Sequence, residues 1–206
     1  TEERRASSAD VLAHLGVAPQ QVLRTPAPGS VAYAPTALLL PGLERLLQVR
    51  RVLGLRNSAH SLVKLLDPLA HQGLRSIVVG SYTHPEYAQS MAATFALTGA
   101  CALLLRGTEG EPVADPRRTP QMDAFLHGQP QRVQDAQGGP LAALPSLPTA
   151  IDAASTAAWI RSVLDGAQPV PAPIAQQVEH ILRLAAQMTT EPAHAVHRPP
   201  APPAPH

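Results

Sequence analysis

RSIVVGSYTHPEYAQSMAATFALTGACALLLRG, residues 75–107, decides the fold. Its two ends, RSIVVGSYTH (75–84) and CALLLRG (101–107), are apolar runs without polar alternation, the pattern of strands buried on both faces. Between them His84-Pro85-Glu86 opens a helix, because proline is tolerated in a first turn, and Gly99 closes it. Strand, helix and strand in that order predict parallel strands joined by a right-handed crossover. The expected class is therefore α/β, with a mostly parallel sheet flanked by helices. Such sheets take ligands beyond the carboxyl ends of their strands. Here those ends are SYTHPE (81–86) and RGTEGE (106–111), so any site is sought where both loops open on one edge.

On the N-terminal side, Ser7-Ser8-Ala9-Asp10 begins a short helix that runs to Gly16, with a serine N-cap and an acid in the first turn. Residues 18–30 form a loop and VAYAP (31–35) reads as a short strand. Pro41 sits in the first turn of a helix that ends at Leu53 before Gly54, and a second helix is expected from about Asn57 to Leu66, stopping before Pro68. On the C-terminal side, residues 108–150 are rich in Gly and Pro and carry little periodicity. Helices follow at Ile151–Leu164 and along Ile174, Val178, Ile181, Leu182, Ala185 and Met188, the latter clearly amphipathic. The expected organisation is one α/β domain over 1–188 and a Pro-rich disordered tail over 189–206.

Apolar residues make up 45% of the 206, but aromatics only 3%, so Leu, Val and Ala must fill the core. A formal net charge of +1 selects no class of partner, because a local field matters more than the total. The single cysteine, Cys101, excludes an internal disulfide framework and suits a reducing, cytoplasmic compartment. It reads as a small core residue at the start of a strand. No apolar run approaches the roughly 18 residues of a membrane span. His194 and His197 lie in the Pro-rich tail without a carboxylate or thiol framework, and no metal site is expected from them.

Charge is concentrated in one region. From Arg45 to Arg75 there are six Lys or Arg residues and one acid, Asp67. In the helix 41–53, Leu43, Leu46, Leu47 and Leu53 define an apolar stripe, and Arg50 falls in the middle of it. A guanidinium there must be paired or must line a cleft, since an unpaired buried charge is very costly. In the next helix, Leu62, Leu66 and Leu69 face inward while Arg56, His60 and Lys64 succeed each other every four residues on the opposite face. That line is either a solvated helix face or a track for phosphates, to which Arg45 and Arg51 add charge. There are no interleaved aromatics to stack bases.

Read in order, SADVLAHLG, VAYAP, PGLERLLQVRRVLGLR and the β-α-β unit resemble the catalytic domain of anthranilate phosphoribosyltransferase. More specifically, RRVLGLRNSAHSLVKLLDP (50–68), SYTHPEY (81–87) and LLLRGTEGEPVADPRRTPQMD (103–123) resemble the YbiB family of DNA-binding proteins, a non-biosynthetic paralogue. The resemblance covers roughly residues 5–188. It implies a phosphoribosyltransferase-type α/β domain whose small helical domain, first strand and Gly-Thr-Gly-Gly-type turn have no counterpart in these residues. An N-terminally incomplete domain with an open sheet edge is expected.

Residue by residue, the resemblance makes Arg50 the counterpart of an anthranilate-contacting arginine and places Ser8 in a diphosphate-binding segment. Arg106 and Glu109 would line what remains of the ligand cleft. The enzyme's Asn-Leu-Leu-Gly-Pro segment is replaced by His60-Ser61-Leu62-Val63-Lys64, and its metal-holding Asp-Glu pair falls at Pro112-Val113, with Glu109 and Glu111 near but out of register. No catalytic residue, metal site or cofactor is therefore expected. The function implied is non-catalytic binding of nucleic acid, DNA or RNA, with little sequence preference, through Arg45, Arg51, Arg56, His60 and Lys64, with a homodimer as a further expectation. The alternative is an anthranilate phosphoribosyltransferase-like pentosyl transfer using Mg²⁺, active only with the N-terminal part present.

Overall fold

The computed structural model describes residues 6–69, 72–108, 111–141 and 144–190. The deciding stretch folds as read. β1 (Val78–Tyr82) and β2 (Ala102–Arg106) are parallel and in register, Val78 opposite Ala102 and Tyr82 opposite Arg106. α5 (Pro85–Thr98) connects them, with His84 as N-cap and Gly99 as a left-handed C-cap. Preceding it are α1 (Ser8–His14), α2 (Thr36–Leu39), α3 (Pro41–Leu53) and α4 (Ala59–Leu62), the last continued by a 3₁₀ turn at Val63–Leu65. α1 begins with a complete capping box: the Ser7 side chain accepts from Asp10 N, and the Asp10 carboxylate accepts from Ser7 N.

After β2 the chain adds two antiparallel strands, β3 (Met122–Leu126) and β4 (Gln129–Gln134), to give the sheet order β1-β2-β3-β4. The α/β class holds. The sheet, however, is mixed, with one parallel and two antiparallel pairings among the described residues. The hairpin lies within 108–150, where little periodic structure is expected. Its turn is His127-Gly128, with φ of 49° and 81°, the two positive values that a type I′ hairpin turn requires. β4 is exposed along most of its length and contains Pro130, which is tolerated on an edge strand. VAYAP forms no strand, and only an isolated bridge links Tyr33 to Pro19.

Both faces of β2 are covered, which is why ALLLR shows no alternation. Ala102 and Leu104 point to α5 and pack with Tyr82, Met91, Phe95 and Phe125. The Phe95 and Phe125 rings meet at a tilt, with centroids 5.3 Å apart. Leu103 and Leu105 point the other way, joining Met122, Ala124, Ala114 and Leu184 of α7 (Ala172–Thr190). Each such fully buried large side chain stabilises the fold by roughly 1.5–3 kcal/mol. α6 (Ala153–Leu164), capped by Asp152, lies against α1, and Arg161 donates to the His14 carbonyl. α7 runs two residues past the expected domain limit. The tail beyond it, with His194 and His197, lies outside the described residues.

Candidate nucleic-acid interface

The carboxyl ends of β1 and β2 do share one edge of the sheet, and the basic segment comes to it. α3 ends at Gly54. Asn57 then ties the next turn back, its Nδ2 donating to Leu46 O at 2.8 Å and its Oδ1 accepting from Ala59 N at 3.0 Å. The expected helix from Asn57 to Leu66 is thus only one α-helical turn followed by a tighter 3₁₀ turn. A 3₁₀ turn advances each residue by about 120° instead of 100°, so the four-residue spacing of Arg56, His60 and Lys64 no longer describes one solvated line.

Lys64 turns inward. It is half-buried, and its Nζ donates to the Ser81 carbonyl at 3.1 Å. Leu62, expected to face the core, is 53% exposed instead. In β1 the backbone of Val78 and Tyr82 bonds to the β2 side, so alternation turns the Ser81 carbonyl to the other side of the strand. β1 ends the sheet order among the described residues, and the ammonium caps a carbonyl on its outer side. An ammonium has three donors, so this contact leaves capacity for a ligand. Lys64 is also the chain's only lysine; the other fifteen of its sixteen basic residues are arginines. Burial, and then the neighbouring Arg56 cation, push the Lys64 pKa below the ordinary lysine value, while the Glu111 carboxylate pulls it back.

Glu111 is the residue the sequence reading passed over. Its Oε2 accepts from Ser8 Oγ at 3.3 Å, and its charge, like that of Arg56, reaches Lys64. The 103-residue separation of Ser8 and Glu111 hides the contact from any local pattern. Gly107 makes the closeness possible: a Cβ there would lie 2.6 Å from Glu111 O and 2.8 Å from Ser81 Cβ. The loop that follows is held by Gln177 of α7, which is buried. Its Oε1 accepts from Ala114 N at 2.8 Å and its Nε2 donates to Pro112 O at 2.9 Å.

The remaining expected residues are more dispersed. Arg45 and Arg51 are exposed on α3, but a six-residue separation puts them about 120° apart around the axis. His60 is half-buried, and its Nδ1 lies 3.2 Å from Asn57 O within its own turn. Arg50 is half-buried and engaged, but its stripe is only partly covered: Leu43 is buried, whereas Leu46 and Leu53 are exposed. α3 packs mainly on α2 and α4, which leaves one side open. Arg106 is exposed at the end of β2, opposite Tyr82. Tyr82 has its pKa raised by burial first and by Asp123 second. Glu109 lies outside the described residues.

Arg117 and Arg118 are structural. Arg117 makes a two-pronged contact with Asp115 at 2.9 and 3.0 Å, which holds that carboxyl below its usual range. Arg118 donates to the carbonyls of Gln137 and Gly139. Cys101 is buried, with His127 N donating to its Sγ at 3.4 Å. Among the described residues, no three of His, Cys, Asp and Glu converge in a way that could hold a metal ion, and no helix is long and apolar enough to cross a membrane.

No protein-family profile matches the chain. Over 144 residues it is 40% identical to a protein of Escherichia coli (strain K12) described as "uncharacterized protein YbiB". The match covers 68% of this chain and 42% of that protein, so the chain spans less than half the length of the relative it matches. At this identity over two thirds of its own length, the chain is a relative of YbiB.

Proposed function

We propose that the chain is a non-catalytic binder of nucleic acid that contacts phosphates with little regard to sequence. The carrying observation is Lys64 at the carboxyl end of β1, where the charge of the exposed Arg56 acts on it. Arg51 and Arg45 are exposed on the adjoining α3 and extend the positive field. Phosphate contacts of this kind supply affinity but no base readout, and the chain's lack of exposed aromatic platforms along this segment fits that role. The resemblance to a DNA-binding paralogue of anthranilate phosphoribosyltransferase points the same way. The paralogy, the homodimer it implies and the cytoplasmic setting belong to this proposal as well.

Fluorescence anisotropy with a labelled mixed-sequence duplex tests it. Affinity should fall steeply between about 50 and 200 mM salt, and R56E/K64E should weaken binding at least tenfold and flatten the log–log salt slope by about 2. Unchanged binding by the double variant refutes the assignment. Mg²⁺-dependent consumption of phosphoribosyl pyrophosphate by a longer version of the chain would favour pentosyl transfer instead.

A further inference from the structure

We propose that Glu111 is a built-in counter-anion of the Lys64 site, competing with ligand phosphate and so favouring polyanions over isolated phosphate groups. This deepens the nucleic-acid reading and rests on it, since it names how that same site is restrained.

The loop that carries Glu111 is fixed from three sides. Ser8 Oγ donates to its carboxylate, its own N–H donates to Thr108 O at 3.2 Å, and Gln177 grips Pro112 O and Ala114 N just beyond it. A Cβ on Gly107 would meet both the Glu111 carbonyl and Ser81, and the Ser81 carbonyl accepts from Lys64. The residue that bears the carboxylate and the residue that holds the ammonium therefore both lie against Gly107. The two charges act on each other, as the opposing pull of Glu111 on Lys64 shows. Glu111 is exposed and makes no direct ion pair with the lysine, so its hold is the modest one of a solvent-screened charge. A single phosphate gains little by displacing it. A polymer that sets several phosphates on neighbouring arginines and releases counterions outweighs one carboxylate.

The test uses the whole chain, a fluorescein-labelled mixed-sequence duplex and inorganic phosphate as competitor. E111Q and, as a second variant, E111A should each bind the duplex about two- to fivefold more tightly at low salt, the upper end for opposite charges near the surface. Each should also be inhibited by lower concentrations of phosphate than the wild type. In a K64Q background the gain should vanish. With one lysine in the sequence, ¹⁵N-lysine labelling gives a single Nζ signal, whose titration midpoint should fall in E111Q. An unchanged or weaker affinity, an equal gain without Lys64, or an unmoved midpoint overturns the inference while leaving the nucleic-acid reading standing, provided the wild type binds with the expected salt dependence. If neither wild type nor E111Q binds at low salt, that reading fails and the inference falls with it.

Discussion

Replacing Gln177 by alanine should unfasten the loop that carries Glu111, and the cost can be worked from its contacts. Gln177 is 5% exposed and makes two hydrogen bonds to backbone, at 2.8 Å with Ala114 N and 2.9 Å with Pro112 O. Each contributes about 0.5–1.5 kcal/mol net, and a buried donor left without a partner costs about 1–3 kcal/mol. Ala114 is 1% exposed, so water cannot replace the lost acceptor there, whereas Pro112 is exposed and its carbonyl can rehydrate. Q177A should therefore destabilise the chain by about 2–4 kcal/mol. Urea unfolding followed by circular dichroism measures this, with the slope m unchanged. Q177E separates the two bonds. Its ionised carboxylate can accept from Ala114 N but faces the Pro112 carbonyl, whereas its protonated form keeps both contacts. The introduced carboxyl's folded-state pKa is then raised, so its stability contribution is present below the unfolded value of about 4.3 and is lost as pH rises through the folded one. A loss under about 0.5 kcal/mol for Q177A, the size of an ordinary surface change, would refute the clamp.

Two further predictions concern the same edge of the fold. The Lys64 pKa is lowered by burial and then by Arg56, so between its folded value and about 10.4 the unfolded chain binds the extra proton. Its contribution to stability therefore rises with pH across that window, while nucleic-acid affinity weakens there as the charge is lost. A ¹⁵N-lysine titration midpoint at or above the ordinary lysine value would contradict this. G107A places a Cβ against Glu111 O and Ser81 and should cost about 1–3 kcal/mol by overpacking. G128A combines a φ of +81° with a Cβ position 2.8 Å from Ala96 O, and should cost more, since left-handed backbone alone costs a residue with a Cβ about 1–2 kcal/mol. Wild-type urea midpoints for both variants would show that these contacts are looser than described.

Much of the fold was legible because its signals are local. The β-α-β unit, the serine N-cap of α1, the proline start and glycine stop of α3, and the amphipathic α7 each announce themselves within a few residues. The β3–β4 hairpin was not legible. Its turn is His-Gly instead of the more common Asn-Gly or Asp-Gly, and β4 is a polar edge strand with no apolar alternation to read. The site fared less evenly. Ser8 and Lys64 were named for separate reasons, and Glu111 was set aside as a metal ligand out of register. No local pattern links Ser8 to Glu111.

What the sequence determined alone was the α/β class and a surplus of cations between Arg45 and Arg75, because strand burial, helix caps and charge are properties of short segments. The direction in which Lys64 points was decided only by the tertiary structure. A helical period assumes a helix that continues, and this one gives way to a 3₁₀ turn beside β1, where the Ser81 carbonyl accepts from the lysine. That contact draws the chain's single lysine off the solvated face and onto the end of β1, within reach of the Glu111 charge.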